Sequence, residues 1–134
     1  RALTVSEPGT LDQIELRDDL PMPEVGALDV RVRVSAAALN HLDLFVVAGL
    51  PGATLVPPWI LGSDAVGLVD AVGSGVVGVR PGERVVLNPG VGCGSCEYCR
   101  EGEHPLCIKF SVFGEHRPGT FAEYVVVPAT HVHR

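Results

Sequence analysis

The 134-residue chain has 46% hydrophobic and 19% charged residues, a composition that excludes an intrinsically disordered chain. Its 16 acidic and 10 basic residues give a formal net charge of −6, so the basic footprint of a nucleic-acid-binding protein is missing. No apolar run approaches the roughly 18 residues that a membrane span needs, and no cationic-then-apolar leader follows Arg1. We therefore expect a cytoplasmic protein without nucleic-acid or membrane partners.

Alternation of polar and apolar residues predicts several strands. Polar and apolar residues alternate without a break over residues 29–35 (DVRVRVS), so one face of this strand is expected to be buried and the other exposed to solvent. Residues 11–17 alternate with one slip, which we interpret as a bulge. Residues 60–72 form a longer apolar stretch interrupted by Gly62 and Gly67. Two short apolar segments, 85–87 and 121–127, each follow a turn that contains Gly and predict two further strands.

A single helix is predicted at residues 40–48, with Asn40 as its N-cap and Gly49 as its stop signal. Within and after it, Phe45 is expected to face the core and Trp59 to lie in the core or at a barrel rim. Sixteen Gly and eleven Pro imply many turns between short strands. The fold class is therefore expected to be mainly β, a barrel-like domain with a short helix that spans residues 1–134.

An irregular lobe at about residues 89–110 departs from the strand pattern and contains all four cysteines. Their spacing is C-x2-C-x2-C-x7-C, at Cys93, Cys96, Cys99 and Cys107. Four thiolates on tight turns can converge on one tetrahedral zinc ion. Because the lobe has few large apolar residues, a metal is its best source of order. A complete four-sulfur shell leaves no open coordination position, so this zinc is expected to be structural.

Other interpretations of the four cysteines have less support from the sequence. Two disulfides do not suit adjacent C-x2-C pairs without a secretion signal, and an iron–sulfur cluster stays chemically open. A redox-active C-x-x-C needs a thioredoxin-like setting, which the pattern lacks, and nearby glutamates disfavour a reactive thiolate. A zinc ribbon that binds nucleic acid would carry several Lys and Arg residues, yet Arg100 is alone in the cysteine segment. Structural zinc is the favoured interpretation.

Motifs on both sides of the lobe extend the pattern: GSDAVG at residues 62–67, GERV at 82–85 and GTFAEY at 119–124. In order and spacing, these motifs and the lobe resemble the zinc-type alcohol dehydrogenases. More specifically, they resemble the N-terminal GroES-like catalytic domain of the medium-chain dehydrogenase/reductase superfamily. The resemblance covers essentially the whole chain. It implies a GroES-like, partly open β-barrel, with the four cysteines holding a structural zinc in a protruding lobe.

The resembled family pairs this domain with a Rossmann nucleotide-binding domain. GSGVVG at residues 73–78 fits G-x-G-x-x-G, but the following VRPG cannot open a helix that presents its N-terminus to a pyrophosphate. We interpret residues 73–78 as a hairpin turn and expect the Rossmann domain to be absent from this chain. The resemblance implies that a C-terminal domain of the same polypeptide binds NAD or NADP. It also implies a homo-oligomer at full length.

The positions that bind the catalytic zinc in the resembled family are substituted. Asn40 stands where a Cys is expected, and Ser63 and Asp64 replace the His and Glu of a Gly-His-Glu motif, while Leu42 replaces a proton-relaying Ser or Thr. An amide and a hydroxyl are poor zinc ligands. Asn at the first position is typical of the zinc-independent branch that resembles quinone and enoyl reductases, whose members commonly lack the cysteine lobe.

Structural zinc without catalytic zinc is therefore expected. Hydride transfer then needs other donors for the developing oxyanion, and we predict Asn40 and Ser63 in this role, with Asp64 orienting them. The structural alternatives stay open, because Asn40 also fits a helix cap and Ser63 a turn residue.

The resemblance implies the catalytic portion of an NAD(P)-dependent oxidoreductase. The expected reaction is hydride transfer to or from a carbonyl, enone or quinone of a small molecule, and the 134-residue chain alone is expected to be inactive. One alternative is a zinc-dependent alcohol dehydrogenase whose catalytic metal is held by His41, Asp43 and Asp64. The other is a non-catalytic, zinc-stabilised β-domain that binds a partner.

Overall fold

Antiparallel strands make up most of the regular structure in the computed structural model, which describes residues 1–51 and 55–134. The strands in these ranges are β1 (Ala2–Val5), β2 (Ile14–Arg17), β3 (Asp29–Ala38), β4 (Trp59–Ile60), β5 (Asp64–Val72), β6 (Arg84–Leu87), β7 (Gly90–Val91), β8 (Ser111–Val112), β9 (Tyr124–Pro128) and β10 (Val132–His133). The helices are α1 (His41–Ala48) and α2 (Glu97–Arg100), with 3-10 turns at Leu11–Gln13, His104–Leu106 and Ala129–His131. No helix in the described ranges has the length and apolar character to cross a membrane.

Three sheets are formed, and the largest has the strand order β10-β6-β5-β3-β9. A second sheet has the order β2-β1-β4, and β7 pairs with β8 in the lobe. The segment before β9 joins the first two sheets, because Phe121 accepts a backbone hydrogen bond from Leu3 at 2.8 Å while Glu123 accepts one from Val34 at 2.9 Å. This shared segment curls the sheets into a half-barrel. The expected mainly β, GroES-like class is confirmed.

The core follows from the alternation that predicted β3. Val30 and Val32 are fully buried in the core on one face of the large sheet, whereas Arg33 on the opposite face is exposed. A second cluster lies beneath α1 and consists of Val5, Val46, Val47, Trp59 and Leu61. Each side chain buried in this way contributes about 1.5–3 kcal/mol to folding.

The predicted helix is confirmed as α1, with both of its boundary residues in place, but the expectation of a single helix is wrong, since α2 forms a short helix within the lobe. Asn40 is extended at the N-cap position, and Gly49 ends the helix with a φ of 92°. Trp59 is buried, as expected for a core residue. The expectation that Phe45 faces the core is wrong, since its side chain is 56% exposed. Val46 and Val47 turn toward the core instead, which leaves Phe45 on the outer side one turn from His41.

Two predicted strands are shorter than their patterns suggested. The slip in residues 11–17 is not a bulge, because Leu11–Gln13 form a 3-10 turn and pairing with β1 starts at Ile14. The stretch at 60–72 is divided into β4 and β5 by residues 61–63. Gly62 has a φ of +94° there, and the ring of Phe121 occupies the space of a Cβ atom. This break places Ser63 and Asp64 at the start of β5.

The sequence GSGVVG forms part of the connection between β5 and β6, which are antiparallel neighbours. Residues 73–83 contain no helix, so nothing here presents a helix N-terminus to a phosphate. The interpretation of this motif as a turn is confirmed.

Candidate active site and metal centre

The predicted catalytic residues lie together where β3 ends and β5 begins. Ala38 and Asp64 form the last residue pair between these antiparallel strands. Asn40 follows this pair on one chain segment, and Ser63 immediately precedes it on the other. The sheet register therefore brings three residues from distant parts of the sequence to one edge of the sheet.

Asn40 donates three hydrogen bonds. Its side-chain Nδ2 donates to Asp64 Oδ2 at 2.9 Å and makes a longer contact to the carbonyl oxygen of Ala38 at 3.4 Å. Its backbone N–H donates to Asp43 Oδ2 at 2.8 Å, and Asp43 is buried. The carboxylate of Asp64 accepts only, so it fixes which end of the amide faces it. One N–H of Asn40 is therefore firmly held, whereas the other makes only a weak bond.

Asp43 has a structural role that the sequence already indicated. An acidic residue three positions after an N-cap is the signature of a capping box, in which the carboxylate bonds back to the N-cap N–H. The alternative hypothesis of a rearranged metal site assigns Asp43 a ligand role instead. Its contact with the backbone of Asn40 stabilises the start of α1 beside the candidate site.

Ser63 is unusual because its hydroxyl has no partner. The residue is 5% exposed, and among the described residues its Oγ is the one buried side-chain polar atom without a hydrogen bond. An unsatisfied buried hydroxyl costs about 1–3 kcal/mol. The structure thus places a free donor directly before Asp64, below the surface of the site.

The four lobe cysteines converge, as their spacing predicted. Their Sγ atoms all lie within 4.8 Å of one another, and none of the four is disulfide-bonded. Sulfurs around a tetrahedral zinc with bonds of about 2.3 Å stand about 3.8 Å apart, a spacing that lies within the 4.8 Å limit of this cluster. The donor set therefore fits a structural zinc, and Cys93, Cys96, Cys99 and Cys107 would be its ligands.

Hydrogen bonds and burial act in opposite directions on these thiols. Backbone N–H groups of Ser95 and Cys96 point at Cys93 Sγ, at 3.5 and 3.4 Å, and they lower the pKa of Cys93 to about 5. Burial instead raises the pKa of Cys99 to about 11. The buried Cys99 is therefore expected to become a thiolate at neutral pH when a cation binds, because metal binding drives the deprotonation of its ligands.

The alternative ligands for a catalytic metal do not assemble. Within the described ranges, the four cysteines are the one group of three or more metal-ligating side chains whose ligand atoms lie together. His41 is exposed, and its ring stacks on that of Phe45 with the two ring centroids 6.5 Å apart. Asp43 is engaged with Asn40 and Asp64 is bound to the amide. His41, Asp43 and Asp64 therefore do not form a metal site here.

A curled half-barrel with a four-cysteine lobe and a polar site between β3 and β5 defines a GroES-like catalytic domain. Residues 26–134 match the family model described as the alcohol dehydrogenase GroES-like domain. The chain belongs to this family, and its expected place as the N-terminal domain of the medium-chain dehydrogenase/reductase superfamily is confirmed.

Relatives and solved structures agree with this assignment. The chain is 44% identical to L-threonine 3-dehydrogenase of Anaeromyxobacter sp. (strain Fw109-5), over 87% of this chain and 34% of the relative. A crystal structure of an NAD-dependent alcohol dehydrogenase matches with a TM-score of 0.95 and 50% identity, over 99% of this chain and 38% of that one. The cobalt- and zinc-bound thermostable alcohol dehydrogenase from Pyrobaculum aerophilum matches with a TM-score of 0.90 and 37% identity, over 98% and 40%. The chain thus spans little more than a third of the length of these proteins.

Proposed function

We propose that the chain is the catalytic portion of an NAD(P)-dependent oxidoreductase that transfers hydride to or from a carbonyl, enone or quinone without a catalytic zinc. The observation that carries this proposal is the 2.9 Å hydrogen bond between Asn40 and Asp64. A neutral amide tied to a carboxylate occupies the place where the resembled zinc enzymes put a thiolate ligand. Neither Asn40 nor Ser63 offers the soft donor that zinc prefers.

In this proposal the side chains of the site bind and polarise the substrate oxygen. Asn40 donates one side-chain N–H to the substrate oxygen. This is the N–H that otherwise makes the 3.4 Å contact to the carbonyl of Ala38, because a substrate oxygen can replace such a weak bond. Asp64 keeps the amide oriented by holding the other N–H. Ser63 supplies a second donor through its unpaired hydroxyl. Since the Ser63 Oγ is buried, its contact with the substrate requires a small displacement of the groups that cover it. Such donors stabilise the negative charge that develops on oxygen.

The cofactor is proposed to be NAD or NADP, which supplies or accepts the hydride. We place it in a C-terminal nucleotide-binding domain of the same polypeptide, because the described ranges contain no helix after a Gly-rich phosphate turn. Residues 1–134 form one domain, with the zinc lobe at about 89–110, and this domain alone is inactive. The full-length protein is proposed to form a homo-oligomer. Four free cysteines suit the reducing cytoplasm, where we place the protein.

Metal analysis of the full-length protein tests the zinc assignment. We expect about one zinc per chain, held by the four cysteines, and NAD(P)-dependent activity that survives a chelator which does not unfold the lobe. The Asn40→Ala variant should keep its zinc and lose about 10²-fold in kcat, the effect of removing one oxyanion donor. Two zinc ions per chain, or full activity in Asn40→Ala, would contradict the proposal.

A zinc-dependent alcohol dehydrogenase is the second candidate, favoured by the cobalt- and zinc-bound relative from Pyrobaculum aerophilum. It requires a metal held by residues that this structure does not bring together. Chelator-sensitive alcohol oxidation in a protein that stays folded would support it. A third reading, a partner-binding domain without chemistry, would be favoured if the full-length protein neither binds NAD(P)H nor turns over alcohols, aldehydes, enones or quinones.

A further inference from the structure

Backbone pairing between residues 119–121 and 60–62, which we call the clamp, restrains the chain directly before Ser63 and Asp64. Backbone N–H groups of residues 119–121 bond to carbonyls of residues 60–62: Gly119 to Ile60 at 2.8 Å, Thr120 to Gly62 at 2.9 Å and Phe121 to Leu61 at 2.8 Å. The two paired segments of the clamp approach so closely that a Cβ at Gly119 would collide with the carbonyl group of Leu61. The segment that carries Ser63 is therefore fixed along one side.

Thr120 adds the contact that reaches beyond the backbone pairing. It is 0% exposed, and its Oγ1 donates to the carbonyl oxygen of Asp64 at 3.2 Å. Among the described residues, this is the one side-chain hydrogen bond to the main chain of residues 62–64. The Asp64 carboxylate in turn accepts the Asn40 amide at 2.9 Å. A chain of two hydrogen bonds thus links a buried threonine to the proposed substrate-binding amide.

We infer that Thr120 is a positioning residue, which sets the orientation of Asn40 through Asp64 and does not touch the substrate. This inference rests on the proposed function. Without its hydroxyl, the main chain at the start of β5 loses the one side-chain hydrogen bond that it accepts within the described residues, and a shift of about 1 Å is enough to break a hydrogen bond of normal length. Misplacement on this scale costs on the order of 10²-fold in rate when it reaches the reacting groups.

The test compares Thr120→Val with Thr4→Val in the full-length enzyme. Thr4 is a suitable control because it is also 0% exposed and its hydroxyl also faces a backbone carbonyl, that of Glu15, at the longer distance of 3.5 Å. Both variants remove one buried hydroxyl and are expected to lower Tm, Thr4→Val by less because its contact is longer. Thr120→Val should lower kcat by about 10-fold or more while KM changes by less than about threefold, and Thr4→Val should leave kcat unchanged.

A second pair keeps the inference testable if Thr120→Val does not fold. Thr120→Ser and Thr120→Ala both lose the methyl group, and they differ only in the hydroxyl. Thr120→Ser should retain most of the wild-type kcat, whereas Thr120→Ala should lose it. Equal kcat values in these two variants, or equal behaviour of Thr120→Val and Thr4→Val, would overturn the inference.

Failure of the inference is distinguishable from failure of the proposed function. If Asn40→Ala loses activity while every variant at Thr120 that folds retains it, the proposed function stands and the positioning role is wrong. If Asn40→Ala is fully active, the proposed function itself fails and the positioning role fails with it.

Discussion

Removal of the Ser63 hydroxyl should stabilise the protein while it weakens catalysis. The Oγ of Ser63 is buried and has no hydrogen-bond partner, so the folded state carries its desolvation without compensation. That penalty is about 1–3 kcal/mol. Ser63→Ala removes it, and the lost dispersion contacts of one oxygen atom offset only a few tenths of a kcal/mol. The net gain is about 1–2 kcal/mol.

The gain translates into a measurable shift in melting temperature. The proposed full-length protein is longer than this chain, and 1 kcal/mol corresponds to about 2–4 °C in proteins of about 150–250 residues, so Ser63→Ala should raise Tm by roughly 2–8 °C. The assay is a thermal scan of the zinc-loaded, full-length protein, with kcat measured on the same sample. Loss of the proposed second donor should lower kcat by about 10²-fold.

Ser111→Ala is the matched control for this prediction. The Ser111 hydroxyl accepts a hydrogen bond from Arg117 Nε at 2.9 Å and donates to the carbonyl of Val91 at 3.3 Å. Its removal leaves two partners unpaired and should lower Tm, the opposite direction from Ser63→Ala. A fall in Tm for Ser63→Ala would refute the reasoning, because it would show that the Ser63 hydroxyl has a stabilising partner. An unchanged kcat would refute its role as a donor.

Other predictions concern the lobe, the stability at low pH and the bend before β5. Cys96→Ser should lose most of the zinc and lower Tm, because an alcohol is a poor ligand for zinc; unchanged metal content and melting would contradict a structural zinc. Burial lowers the pKa of His131 below its usual 6.5, so the unfolded state binds more protons and stability falls as pH drops below about 6.5. His131→Gln should therefore show a smaller loss of denaturation midpoint between about pH 7.5 and pH 5.5, and equal slopes would refute the assignment. Gly62→Ala should destabilise by about 1–3 kcal/mol more than Gly82→Ala in chemical denaturation. Both glycines have positive φ, +94° and +89°, but only at Gly62 does a ring fill the space of the new methyl group, so equal effects would exclude the steric cause.

The elements with strong local signals were predictable from sequence. The strict alternation of residues 29–35 predicted a half-buried strand, and β3 has this character because period-two burial needs no information from elsewhere in the chain. Asn40 and Gly49 marked the two ends of α1 for the same reason, since capping depends on adjacent backbone groups. The cysteine cluster was predictable because the four ligands lie within fifteen residues of one another along the chain.

Features that depend on distant contacts were not predictable. At the break between β4 and β5, the ring of Phe121, which lies far from Gly62 in the sequence, occupies the space that a Cβ atom at Gly62 would need. The hydrophobicity of Phe45 favours a core position, but the packing of Val46 and Val47 determines which face of α1 is buried. The bond between Asn40 and Asp64 depends on the register of β3 against β5, which no local pattern encodes.

Departures from ordinary folding rules concentrate at one edge of the large sheet, where β3 ends and β5 begins. There Ser63 buries an unpaired hydroxyl directly after Gly62, where the ring of Phe121 occupies the space that a Cβ atom would need. Elsewhere in the described ranges, buried side-chain polar atoms have hydrogen-bond partners. Natural sequences keep such local violations mainly where function needs them, because each one lowers stability. The same edge carries Asn40, Ser63 and Asp64, the residues that the family resemblance predicted as catalytic, so this prediction and the buried unpaired hydroxyl point to one site. The cysteine lobe has positive-φ glycines at Gly94 and Gly102, but none of its described residues buries an unpaired side-chain polar atom, and its closed set of four donors fits a structural role.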